Sequence, residues 1–588
     1  MPAIRNLLRT RRFALPVIAI FALAIAASTA IFSVFNGLFL SPLPFLQADR
    51  LVDIAEDALR FDLRDLTISY SEFAAWRDGN GAFEQIAAFK PGDSANLTGF
   101  GDPVRVSCAS VTANFAATLG VKPILGRDFL ASEELQVAAR PILLSFAFWE
   151  RQFDGRADIV GKIISLDNLP FTVIGVLPKT AVFPGDTDVW QALGPYYVGD
   201  SVPIYRGVGR MKAGVTTTQA KADLLRIHKL LAPSTPRTRA TEPVIMPLRE
   251  HYLGNFRVVS EVLLGGVGFV LLIACVNAGG LMLGRGTARS RELAIREALG
   301  AGRNRLLREL LTESVLLAAT GSGIGVALGW SILRISVATM PRVLPSWVHF
   351  PLDWRVACFS IAVTSGAALL SGFIPAWRHS RVDLRGFLAD ATPGASLSRG
   401  RKGAMRLLIV GEIALAFMLL AAGGLTLRAF HRVLTVNPGF NADGVLTFSL
   451  DPSFGWPPDT ARLKRFYDEL LPRLRSTPGV DAAGAGLATY ENQLSRVARR
   501  WQIWVPGMEV DPNRPVAPAM LASVTPGYFR AMGIEFVEGR DFDDRDTQTS
   551  AIIDEAFARK AWPQEKRVLG KQVRTSNKIP WSTVIGVV

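Results

Sequence analysis

The sequence predicts a multi-span α-helical membrane protein that carries two α+β extracytoplasmic domains. Three observations predict it. Five apolar stretches are long enough to cross a bilayer, the positive charge sits almost wholly in short segments beside them, and part of the chain is repeated. With 49% hydrophobic residues and a mean hydropathy of +0.25, the 588-residue chain is too apolar for an ordinary soluble enzyme. It is also too polar to lie wholly within a membrane.

A hydrocarbon core takes about 20 consecutive apolar residues as helix, and residues 13–40, 259–283, 310–339, 356–375 and 407–427 each supply such a run. Residues 1–12 precede the first as a basic N-terminus. Residues 41–258 and 428–588 have the mixed composition of water-exposed modules, 284–309 and 376–406 are basic linkers, and 340–355 is a short turn. The first run has the basic start and small residues of a signal peptide, but continues apolar through IFSVFNGLFL (31–40), past a normal h-region. As a helix of ~42 Å it spans with tilt, so it reads as an anchor.

Segments 1–12, 284–309 and 376–406 hold 18 bases against 5 acids, which is thirteen of the fourteen net positive charges. Short basic loops beside spans mark the cytoplasmic side, so one orientation is expected, with the N-terminus and both linkers inside and both large modules outside. Arg428, His431 and Arg432 are a mild exception. Charge placed this way belongs to membrane topology, and nucleic acid is not an expected partner. Cys275 and Cys358 lie in spans and Cys108 is alone in the first module, so no disulfide framework or CxxC metal site is expected.

The repeat is explicit. SVTANFAATLGVKPILGRDF (110–129) matches SVTPGYFRAMGIEFVEGRDF (523–542), and VGKIISLDNLPFTVIGV (160–176) matches LGKQVRTSNKIPWSTVIGV (569–587). Each module follows a span, so the unit is a span plus an outer module, used twice. The first copy runs on past Val176 into three more spans, whereas the second stops at Val588 within a strand. A C-terminally truncated duplication is therefore expected. FTVIGVL (171–177) and STVIGVV (582–588) read as buried strands. TTTQAKADLLRIHKLL (216–231) reads as a threonine-capped helix, with LKRFYDELLPRLRS (463–476) as its counterpart. Strand–helix–strand units of this kind suit an α+β domain.

Catalytic signals are weak. Gly161-Lys162 and Gly570-Lys571 lack the rest of a phosphate loop, since Ile163 and Gln572 stand where its hydroxyl residue would be. Both read as turns before a strand. The five histidines are scattered, and Glu72, Glu84 and Asp128 read as surface acids. No catalytic residue, cofactor or metal site is expected.

Gly321, Gly325 and Gly329 are spaced by four, which puts them on one face of the third span, where a second backbone can approach closely. Ala22, Ala26 and Ala30 form a weaker stripe on the first. Glu313, Glu412 and Asn277 are polar groups in or beside spans. Glu313 and Glu412 fall in first turns, where the helix dipole and interfacial water stabilise a carboxylate. RELAIREALGAGR (291–303) reads as a short amphipathic helix over 287–299, with Glu292 four residues before Arg296 and Gly300 and Gly302 as its stop. On its pattern alone it suits a lever joined to the next span and an anchor on anionic lipid equally well.

RSRELAIREALGAGRNRLLRELLTESVLLAATGSGIGVALG (289–329) resembles the cytoplasmic coupling segment and following span of MacB/FtsX-type ABC transporter permeases. IPAWRHSRVDLRGFL (374–388) is similar to that family's exit from its last span. SPLPFLQADRLVDI (41–54), SYSEFAAWRDGNGAFEQIAAF (69–89), VTANFAATLGVKPILGRDF (111–129) and GRMKAGVTTTQAKADL (209–224) resemble the MacB-like periplasmic core domain. Duplication in one chain resembles the duplicated permeases common in acidobacteria, with the second group of three spans and the second coupling motif missing.

The resemblance implies a non-catalytic permease subunit in a bacterial inner membrane, worked by a separate cytoplasmic ABC ATPase. Carried over by position, Arg291, Glu292, Ile295, Arg296, Ala298, Leu299 and Gly300 would contact that ATPase. Movement would then pass to the outer modules by mechanotransmission. Membrane lipids, a periplasmic adaptor or an envelope enzyme are further implied partners, and the duplicated halves would act as a pseudo-dimer. The alternative is an FtsX-like scaffold that regulates a periplasmic envelope enzyme without transport.

Overall fold

The computed structural model describes residues 11–588 apart from 60–62, 135–139, 186, 194–203, 232–237, 239–240, 289–302, 340–347, 380–398, 451–459, 487–499, 507–516, 544, 547–548 and 576–578. Along the chain, helix α1 (Arg11–Phe35) ends in a π-turn (Asn36–Leu40). Then come β1 (Leu51–Ala58), β2 (Leu63–Leu66), α2 (Tyr70–Gly79), β3 (Phe83–Thr98), β4 (Val104–Val111), α3 (Phe115–Leu119), β5 (Leu125–Gly126), β6 (Pro141–Leu144) and α4 (Phe146–Phe153). The first module closes with β7 (Ile163–Leu166), β8 (Leu169–Val176), β9 (Val189–Ala192), β10 (Arg206–Met211), α5 (Thr217–Leu231) and β11 (Glu242–Pro247). Four long helices follow, α6 (Leu248–Ala288), α7 (Arg303–Thr339), α8 (Trp354–His379) and α9 (Arg399–Thr435). The second module contributes α10 (Thr460–Arg475), β12 (Arg500–Ile503), β13 (Ala517–Met520), α11 (Tyr528–Ala531), β14 (Glu538–Gly539), β15 (Ser550–Ile553), α12 (Glu555–Ala561), β16 (Gln572–Val573) and β17 (Ser582–Val587).

The chain divides into a helical unit, residues 1–42 and 252–436, and an α+β unit, residues 43–251 and 437–588. Among the described residues of the helical unit, five helices are long and apolar enough to cross a membrane, over Arg12–Leu40, Phe256–Met282, Leu311–Thr339, Trp354–Ser371 and Ile409–Thr435. Phe21 and Ile25 of α1, Cys275 and Ala278 of α6, Leu317 and Ala318 of α7 and Ala367 and Ala368 of α8 form one buried core. Among its described side chains helix α9 contributes nothing to it, and none of 409–435 is buried. The helices outrun their apolar stretches: α6 continues to Ala288 and α7 begins at Arg303.

In the α+β unit an 11-stranded sheet has the order β11-β1-β10-β3-β4-β9-β6-β8-β5, with β2 on β1 and β7 on β3 and β8. Two cores form on it. In one, Phe73 and Trp76 of α2 and Leu224 and Ile227 of α5 pack on Val52, Ile54, Ile86 and Met211. In the other, Phe148 and Phe153 of α4 pack on Val106, Ile142, Val173, Val176 and Val189. Each fully buried side chain of this size stabilises by about 1.5–3 kcal/mol.

The repeat holds in detail. β6 pairs parallel with β8 with a register shift between Ile142 and Leu143, and β15 pairs parallel with β17 with one between Ala551 and Ile552. Ser145 caps α4 by accepting from the Phe148 N–H, as Asp554 caps α12 by accepting from the Phe557 N–H. Phe557, Val568, Val573, Val584 and Val587 form the second copy's core at the places held in the first by Phe148, Ile159, Ile164, Val173 and Val176. Gly161 and Gly570, at φ 88° and 81°, donate to the Val173 and Val584 carbonyls in the same turn.

One pairing from the sequence is corrected. Helix α10 precedes the second GRDF motif, as α2 precedes the first, whereas α5 follows β8. The counterpart of 463–476 is therefore α2 rather than 216–231. Both helices are short and amphipathic, and only element order separates the two assignments.

Candidate transmission site

The first seam of interest joins α1 to α7. A Cβ on Gly321 would lie 2.7 Å from the Phe21 Cβ and 3.0 Å from the Ile18 carbonyl. On Gly325 it would lie 2.7 Å from the Ala22 carbonyl, and on Gly329 2.6 Å from the Ala26 carbonyl. Backbone meets backbone here, so only glycine fits, and close packing stands in for the hydrophobic drive that lipid does not supply. The partner number on α1 rises with the number on α7, so the two helices run parallel and their N-terminal ends lie on the same side.

Helix α8 runs the other way along α1. Phe32 stacks on Phe359 with ring centroids 3.9 Å apart, and Thr29 and Ser360 hydroxyls lie 3.4 Å apart. At the far end the Asn36 amide donates to Asp353 Oδ2 at 3.0 Å. Asp353 Oδ1 also caps α8 by accepting from the Arg355 and Val356 N–H groups. Arg355 donates to the Leu40 carbonyl at 2.6 Å.

The α+β unit is tied by buried charge. Arg206 on β10, 3% exposed, donates to Asp53 Oδ2 on β1 at 2.6 Å and to Asp65 Oδ1 on β2 at 2.7 Å. It also reaches His251 Nε2 at 3.2 Å, so that nitrogen carries the lone pair. His251 belongs to the first turn of α6. A second group joins Glu56, Glu72 and His228. The Ser69 N–H and hydroxyl donate to Glu72 Oε2 and the Thr238 hydroxyl to Oε1, so this carboxylate serves as the capping box of α2. His228 Nε2 donates to the Thr238 and Thr241 carbonyls, both at 2.9 Å, while its Nδ1 faces Glu56 Oε1 at 3.8 Å. Each group could offer three ligand atoms to a cation. In the first, however, the Arg206 guanidinium already answers the two carboxylates, and in the second Glu72 is occupied by its cap. Both read as structural ties.

The repeated GRDF motif is a clamp. Arg127 forms a fork with Glu133 at 2.8 and 2.6 Å, and Arg540 forms one with Asp546 at 2.6 and 3.0 Å. The guanidinium holds each carboxyl below its usual range. Burial pushes Asp128 up.

Sequence reading and structure meet unevenly. Gly321, Gly325 and Gly329 lie together in the α1–α7 seam. Arg291, Glu292, Ile295, Arg296, Ala298, Leu299 and Gly300, and the helix expected over 287–299, lie outside the described residues. Glu72 is a correction: it is 2% exposed rather than a surface acid, because capping α2 draws it inward. Glu84 pairs with Arg50 at the surface, and Asp128 stands apart from both. The Arg206 network went unseen in the sequence, since Arg206 meets Asp53 across 153 positions. Only the oddity of charged residues within β-branched strands hinted at it.

Membrane-length helices packed through a glycine seam, in one chain with duplicated α+β modules, define a membrane protein with large water-exposed domains. The family described as MacB-like periplasmic core domain matches residues 15–227 and again 408–588, and the FtsX-like permease C-terminal family matches 265–384. The chain belongs to this MacB/FtsX-type permease family. A pyoverdine export ATP-binding/permease protein of Pseudomonas syringae pv. tomato is 26% identical over 272 residues, covering 44% of this chain and 39% of that protein. A macrolide export ATP-binding/permease protein, MacB, of Salmonella typhi is 26% identical over 296 residues, covering 48% and 43%. The chain thus spans about two fifths of the length of these curated relatives. The periplasmic region of MacB from Actinobacillus actinomycetemcomitans aligns over 34% of this chain and 89% of that one, with 14% identity and a TM-score of 0.27. Family and apolar helices together place the chain in a bacterial inner membrane with periplasmic domains.

Proposed function

We propose that the chain is the membrane subunit of a MacB/FtsX-type ABC system, worked by an ATPase on a separate subunit. ATP-driven movement enters through the 291–300 segment and reaches the periplasmic modules along the helices. The observation that carries this reading is the parallel α1–α7 seam. It sets the starts of α1 and α7 on one side, which supports a common side for the basic segments that precede them. That is the side where an ATPase can meet Arg291, Glu292, Ile295, Arg296, Ala298, Leu299 and Gly300. The relatives' names join ATP-binding and permease parts, and this chain's match to them supports a permease worked by ATP.

The test is Glu292→Arg in the full chain, purified with the ATP-binding subunit that accompanies it in its host. Stimulated ATP hydrolysis should fall at least tenfold while insertion and yield stay unchanged; unaltered stimulation rejects the contact. If hydrolysis instead tracks the activity of a periplasmic cell-wall enzyme and no export, the scaffold reading replaces transport.

A further inference from the structure

The outer end of the first span carries a feature that the seam does not explain. Residues Asn36–Leu40 form a π-turn, closed by the Ser41 N–H on the Asn36 carbonyl at 2.7 Å. A π-turn holds one residue more than an α-turn, and such turns concentrate at functional places in helices. Asn36 is fully buried in an otherwise apolar segment, and its Oδ1 has no hydrogen-bond partner. An amide is costly in such a place, and the bond it makes is the one to Asp353. Beside it, a Cβ on Gly37 would lie 2.5 Å from the His349 carbonyl and 2.6 Å from the Phe350 ring. The segment before α8 is therefore seated directly on the π-turn, through Gly37, Asn36 and the Arg355 bond to Leu40.

The duplication supplies an internal control. Helix α9 is the second copy's counterpart of α1, and it runs as regular α-helix through Thr435. Its outer end, LTLRAFHRVLTV (425–436), contains neither glycine nor asparagine. The π-turn thus goes with the two residues that admit and bind the neighbouring segment, and is absent where they are absent.

We propose that Asn36, Gly37 and Asp353 form a latch that sets the helical register at the outer end of the first span, with Asn36 and Asp353 as positioning residues. Releasing the latch lets the π-turn relax to α-helix. That change turns everything beyond it by about 100° and shifts it by about 1.5 Å along the axis, the geometry of one helical residue. Eleven positions after Leu40 the chain enters β1, so the latch controls how the first module receives motion from the spans. The corresponding end of α9 carries neither Asn nor Gly at these places. This rests on the permease reading for its use, but not for its existence.

The experiment is hydrogen–deuterium exchange on the full chain in lipid nanodiscs, without nucleotide or second subunit. Asn36→Ala and Gly37→Ala should each raise exchange of the amides of residues 38–41 at least tenfold and leave β1 and β10 unchanged. Asp353→Ser, which keeps a cap for α8 but loses the reach to Asn36, should do the same. Leu352→Ala, at an exposed neighbouring position outside the latch, should keep the original rate. Unchanged exchange in the first three variants, or equal loosening in Leu352→Ala, overturns the latch. Because no ATPase takes part, that result leaves the permease reading standing. Failure of Glu292→Arg to uncouple hydrolysis does the reverse.

Discussion

Arg206 shows how a single residue fixes the first module. It is buried between two carboxylates and a histidine, and removing one partner of a buried pair costs about 3–5 kcal/mol. Arg206→Ala should therefore cost most of the module's stability, and Arg206→Lys should restore little of it, because an ammonium cannot fork between Asp53 and Asp65. Urea titration of the full chain, followed by tryptophan fluorescence, measures both. Glu133 gives a pH prediction. Its carboxyl is held below its unfolded value of ~4.3, so its contribution is complete above that value. The contribution is lost as pH falls through the lower folded value. Arg127 is half exposed, which limits the gain to about 1 kcal/mol or less. Wild type should lose melting temperature between about pH 5 and 3 more steeply than Glu133→Gln; parallel curves would remove the clamp from the stability account.

At the scale of elements, the glycine stripe and the GRDF repeat were legible before any coordinates, although the carboxylates that GRDF clamps were not. Gly321, Gly325 and Gly329 recur at helical spacing, and GRDF recurs word for word, so both signals are local or repeated. Helices α1, α6, α7, α8 and α9 announce themselves by length and apolarity. What stayed illegible was long-range. Nothing within forty positions of His251 tells that it meets Arg206, and nothing near Glu72 except Ser69 tells that it turns inward. The pairing of α10 failed because amphipathic periodicity is common to every surface helix and carries no address. The seam itself makes a prediction. Gly325→Leu forces two backbones apart, an overpacking that costs about 1–3 kcal/mol. It should lower the melting temperature of the detergent-solubilised chain by several degrees, and Gly325→Ala by less. A Gly325→Leu chain that melts with wild type would show that the seam bears no load.

For the whole molecule, the orientation expected from the basic segments can be tested in cells. A cysteine at Ser290 should resist an impermeant thiol reagent added outside, and one at exposed Asp102 should react with it, in a background with Cys358 replaced. Reversed labelling would invert the topology and remove the 291–300 contact from reach of any cytoplasmic subunit. The parallel seam also bears on how the molecule is made. Gly325 touches Ala22 across some three hundred positions of intervening chain, about four fifths of them in the first module and the second span. The first span is therefore synthesised long before its partner, with the whole first module made in between. During that interval its narrow alanine face is open to any chaperone or insertase in the membrane.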